Sequence, residues 1–148
     1  MLIATANLTS HLSKRGQYFG QMLKYFNRIV FACDIGLGCY IPRSCKFFHA
    51  GLGCVFHENA KVGERCFIYP GVVLGASGRK GEGHLAPIIG DDVVLCAGAK
   101  ILGNVHVGNG SIVAANAVVI NDVPEYVLVA GVPASIRKHL ENEIREKP

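Results

Sequence analysis

Aliphatic side chains recur every six positions at Ile89, Leu95, Ile101, Val107, Val113 and Val119. Neither the roughly 3.6-residue period of an amphipathic helix nor strict strand alternation fits this spacing. The same frame holds earlier at Phe56, Val62, Ile68 and Leu74, and at the pair Ile35 and Ile41. Four positions after these residues stand small or β-branched ones: Cys39, Cys45, Ala60, Cys66, Val72, Val93, Ala99, Val105, Ser111, Ala117 and Val123. Gly, Asn and Asp are frequent between them, as tight turns with positive φ require. The pattern predicts short strands alternating with turns, three units closing a triangular coil of about 18 residues. The expected fold is all-β, a left-handed parallel β-helix of hexapeptide repeats. Its handedness is an exception to the usual right-handed crossover. The aliphatic positions fill the prism and the small ones relieve its corners.

Two interruptions break the frame. Leu74 and Ile89 are separated by 15 positions, and the polar, glycine-rich stretch between them predicts an external loop over 76–87, suited to binding or catalysis. Between Phe47 and Phe56 the frame shifts by three, which brings His49 to the edge of the coil. Outside the repeat, Leu23, Phe26, Ile29 and Val30 have helical spacing within 13–31. They predict a helical cap in segment 1–33 that covers the open end of a β-helix domain at 34–134. Pro124 and Pro133 stop the repeat, and the extension beyond, 135–148, is expected as a short helix or strap starting near residue 134. The fold is thus expected to carry short helical extensions at both ends.

A chain of 148 residues, half of them hydrophobic and 18% charged, suits one compact domain. Its net charge of +4 gives no reason to expect a nucleic-acid partner. No apolar run approaches the roughly 20 residues of a membrane span, and the start does not read as a secretion signal, so a cytoplasmic location is expected. The six cysteines form no CxxC pair and read mainly as small buried thiols.

Few residues carry chemistry. Imidazole can accept a proton near neutral pH, which makes His49 and then His84 the candidate general bases. His57 reads as a corner residue and His106 as an ordinary exterior position. There is no nucleophile elbow, no zinc spacing and no triphosphate loop, so no catalytic metal is expected. The segment 75–83 can still approach a phosphate through backbone N–H groups or Arg79 and Lys80.

The stretch Ala97-Gly98-Ala99-Lys100-Ile101-Leu102-Gly103-Asn104, then Val107-Gly108 and Ala130-Gly131-Val132-Pro133-Ala134, resembles the serine acetyltransferase branch of the hexapeptide-repeat acyltransferases. The resemblance spans about residues 34–138. It implies an acetyl-CoA-dependent O-acetyltransferase that moves acetyl directly to serine or a sugar hydroxyl, with His49 as base, Asp34 orienting it and His84 at the acceptor. It also implies that Gly75, Ala76, Ala97, Gly98 and Ala115 line an acetyl-CoA groove, and that Lys138 meets a CoA phosphate. The resembling enzymes form homotrimers with sites between subunits; the short leading segment here implies a trimer without their higher assembly. Two departures bear on the acceptor. Phe48 stands where those enzymes often carry an acid, and Gly83-His84-Leu85-Ala86-Pro87 replaces their Arg-His-Pro. A non-catalytic β-helical scaffold is the alternative.

Overall fold

A computed structural model describes residues 14–78 and 84–140. A helix, α1 (Lys14–Phe31), precedes the strands. Three flat sheets then form the sides of a prism. The first contains β1 (Asp34–Ile35), β3 (Val55–Phe56), β6 (Val73–Gly75), β9 (Lys100–Leu102) and β12 (Val118–Val119). The second contains β4 (Lys61–Val62), β7 (Ile88–Ile89) and β10 (His106–Val107). The third contains β2 (Lys46–Phe47), β5 (Phe67–Ile68), β8 (Val94–Leu95), β11 (Ile112–Val113), β13 (Val127–Gly131) and β14 (Ala134–His139). The coil is the expected left-handed parallel β-helix.

Strand register measures each coil. Ile89 pairs with Val107, Leu95 with Val113 and Ile101 with Val119, each 18 positions on. Ile35 pairs with Phe56 and Phe47 with Ile68, 21 positions on, because the turn at His49 adds three residues. Val62 pairs with Ile89 across 27 positions, the extra nine being the external loop.

Every six-residue aliphatic position from Ile35 to Val119 is buried, as is every small position four residues later. Burial of these side chains supplies the main driving force for closing the prism. Ser111 is the polar member of this core; its hydroxyl donates to Pro124 O at 2.7 Å and accepts from Val127 N at 3.3 Å, so the group is satisfied in place. Gly98, at φ +71°, stacks beneath Asn116 in one corner; a Cβ there would run into the Asn116 side chain.

Helix α1 forms within the expected segment but packs otherwise than expected. Gly20, Leu23, Asn27 and Phe31 lie toward the coil, whereas Phe26, Ile29 and Val30 are exposed. Helical spacing identifies residues that share a face, and here that face turns outward. At the other end the expected helical extension does not form over 134–139: the segment is the strand β14, which returns antiparallel to pair with the open edge of β13 and satisfies its backbone groups. The remainder of the C-terminal extension, 141–148, and Arg79 and Lys80 of the loop lie outside the described residues.

Candidate active site

The three-residue frame shift becomes the turn Phe48–Gly51, in which His49 (φ 49°, ψ 41°), Ala50 (φ 54°) and Gly51 (φ 70°) are all left-handed. For His49 and Ala50 this conformation costs on the order of 1–2 kcal/mol each. The stack beneath holds it: Gly53 N donates to Ala32 O at 3.1 Å, and Cys54 N to Gly51 O at 2.9 Å. The turn thereby pushes the His49 side chain into solvent.

Asp34 begins β1, the strand paired with β3 just after this turn. Its carboxylate faces α1: Lys24 Nζ lies 3.1 Å from Oδ1 and Arg28 Nη1 3.6 Å from Oδ2. Oδ1 is shielded from water and has no well-aligned hydrogen-bond donor among the described residues, despite the nearby ammonium. No hydrogen bond joins Asp34 to His49 among those residues.

Phe48 lies on an aromatic platform. Its ring stacks on Tyr69 at 4.4 Å between centroids and 14° between planes, with Phe67 at 5.9 Å and the Lys46 ammonium over the ring at 5.1 Å. Sequence reading passed over Lys46, Phe67 and Tyr69. The signal was present, since Lys46 and Phe67 each precede a core position, Phe47 and Ile68, and pair across β2 and β5.

His84 occupies a different place. It lines an open groove of about 390 Å³ with Tyr40, Glu58, Asn59, Lys61 and Asn104, beside β4 and β7. Asn59 Nδ2 donates to His84 O at 2.9 Å and fixes the returning end of the loop. Neither His49 nor Asp34 lines this groove. His57 is a half-buried corner residue whose Nδ1 accepts from Asn59 N at 3.1 Å, and His106 is exposed on β10.

The expected wall residues differ among themselves. Ala97 and Ala115 are exposed at turns, where small side chains leave the surface open. Gly98 has the internal reason given by Asn116, and a Cβ on Gly75 would meet Leu102. Ala76 packs against the core. Lys138 is exposed on β14, and the ammonium of Lys100 donates to Gly98 O at 3.0 Å.

Burial pushes the Cys33 and Cys39 thiols up to about 12, with Cys54 and then Asp34 adding to the effect at Cys33. Neither is poised as a nucleophile. Among the described residues no three His, Cys, Asp or Glu side chains gather as metal ligands.

Residues 86–121 match the family model for the bacterial transferase hexapeptide, six repeats. The chain is 37% identical over 135 residues to a serine acetyltransferase of Staphylococcus xylosus, covering 90% of this chain and 62% of that protein. Among solved structures it is similar to the coenzyme A complex of Brucella abortus serine acetyltransferase, with a TM-score of 0.81, 36% identity, and coverage of 86% and 50% of the two chains. It is similar also to the serine complex of the Neisseria gonorrhoeae enzyme, with a TM-score of 0.73, 34% identity, and coverage of 80% and 47%. The chain thus spans about half to three-fifths of the length of these relatives.

Proposed function

Because the chain belongs to the hexapeptide-repeat acyltransferases, in their serine acetyltransferase-like branch, we propose that it transfers acetyl from acetyl-CoA directly to an acceptor hydroxyl. The observation that carries this reading is the left-handed turn at residues 49–51, which holds an exposed imidazole beside the segment bearing Asp34. In the reaction His49 takes the hydroxyl proton as the oxygen attacks the thioester carbonyl. The tetrahedral adduct collapses, the C–S bond breaks, and the proton passes to the departing thiolate. No acyl-enzyme is needed.

His49 and His84 face different regions of one chain, so the reading includes a homotrimer in which a neighbouring copy brings the second histidine to the first. In this reading Asp34, whose carboxylate meets Lys24 and Arg28 in the single chain, orients the imidazolium. Ala97, Gly98 and Ala115, with Gly75, Ala76 and Lys138, are the proposed path of the CoA arm. The reading includes a cytoplasmic location.

A sugar hydroxyl suits the acceptor end better than serine. Phe48 on Tyr69, with Lys46 above it, offers an aromatic and cationic surface next to His49, at the position where the resembling enzymes often carry an acid. Gly83 precedes His84 and supplies no guanidinium for a carboxylate.

The test is CoA release from acetyl-CoA across a panel of serine, nucleotide sugars and oligosaccharides. Turnover with a sugar, lost in His49→Ala at unchanged melting temperature, is expected. Full turnover in that variant would remove His49 from the mechanism. A protein that binds no CoA in calorimetry would be the scaffold.

A further inference from the structure

Helix α1 presents an apolar face to solvent. Tyr18, Met22, Tyr25 and Ile29 are 80%, 58%, 60% and 82% exposed along one line, and Phe19, Phe26 and Val30 flank them at 52%, 46% and 52%. At helical spacing these side chains cover an arc of about 140°. The opposite side is held to the coil by buried Gly20 and Asn27 and by Lys24 and Arg28 at Asp34. The helix cannot roll to hide the apolar arc without breaking those contacts. Such a patch of large side chains marks a binding surface.

The charge of the same segment indicates the occupant. Residues 1–33 contain Lys14, Arg15, Lys24 and Arg28 and no Asp or Glu. We propose that α1 docks in the interface of a bilayer containing anionic lipid, lying parallel to it with the apolar arc inserted. Lys24 and Arg28 are engaged with Asp34 on the coil side, so Lys14 and Arg15 at the start of the helix are the cations left for headgroups, and with an outward arc rich in Tyr and Phe they match the composition of such a helix. The helix lies on the bilayer and does not span it, since no helix among the described residues is long and apolar enough to cross.

A second copy of the chain fits less well. Two α1 faces brought together would juxtapose basic segments with no acid between them. On the coil, Asp91 and Asp92 are engaged with Arg65 and Glu125 with Asn109, and the exposed Glu58 lines the His84 groove. Anionic headgroups supply the missing counter-charge.

The test is flotation of the full chain with vesicles of phosphatidylcholine alone or mixed equally with phosphatidylglycerol. The protein is expected to rise with the mixed vesicles, less with phosphatidylcholine, and less again at about 0.5 M salt, where the Debye length shrinks. Met22→Asp with Ile29→Asp, both at exposed positions, should lower the bound fraction at least about tenfold with the circular dichroism and melting temperature unchanged. The proposal is overturned if the wild type stays with the unbound fraction. It is overturned equally if the double variant floats like the wild type, or if it halves or thirds the mass in sedimentation equilibrium, which would assign the face to a second copy.

Discussion

Lys24 Nζ lies 3.1 Å from Asp34 Oδ1, so a residue of the helix holds the carboxylate that opens the first strand. The contact joins α1 to the proposed dyad. Both side chains are part-exposed, so Lys24→Met should cost about 0.2–1 kcal/mol, seen as a small fall in urea midpoint with kcat retained. Asp34→Asn should lower kcat about tenfold or more if this carboxylate orients His49. Equal kcat losses in the two variants would show that Asp34 serves only to seat the helix.

Gly98 and Ala97 separate fold from ligand. Gly98→Ala puts a Cβ against the Asn116 side chain at φ +71° and should destabilise the protein by on the order of 1–2 kcal/mol from backbone conformation alone. Ala97→Leu, at an exposed turn, should leave the melting temperature within a degree or two and raise the KM for acetyl-CoA. An unchanged KM for Ala97→Leu would move the CoA arm off this wall.

What the sequence disclosed and what it hid follow from the kind of contact involved. Inward positions such as Leu95 and Val113 were legible because every coil repeats one register, and a three-residue shift at His49 shows against it. The orientation of α1 was not, since period assigns Phe26, Ile29 and Val30 to a common face without saying what lies opposite. The contact between Gly98 and Asn116 also escaped, because it links residues a full coil apart whose spacing matters only once the turns are stacked. Tyr69 gained its interest from Phe48, which reaches it across the turn that breaks the frame.

The Phe48 platform makes a prediction about the acceptor. Removing one ring of an offset aromatic pair costs about 0.5–1.5 kcal/mol beyond lost burial, so Phe48→Ala should lower stability modestly. With a sugar acceptor, Tyr69→Ala should raise the acceptor KM several-fold while the KM for acetyl-CoA stays constant, because ring stacking is lost only at the acceptor end. A rise confined to acetyl-CoA would place the platform on the donor side.

The buried Cys39 thiol contributes to the fall of stability at alkaline pH. Cys39 has an ordinary thiol value of 9.0 when unfolded and about 12 in the fold, because burial disfavours the thiolate. Below pH 9 both states keep the proton and the folded protein has its full stability. Above it the unfolded chain ionises while the native thiol does not, so the unfolded state binds fewer protons and stability falls as pH rises toward about 12. The slope contributed by one such thiol is about 1.4 kcal/mol per pH unit. Cys39→Ala fills its small corner position as Ala60, Ala99 and Ala117 fill theirs, so the variant should fold. Urea midpoints measured from neutral pH to above pH 9 should fall less steeply for Cys39→Ala than for the wild type, and parallel slopes would show that this thiol ionises alike in both states.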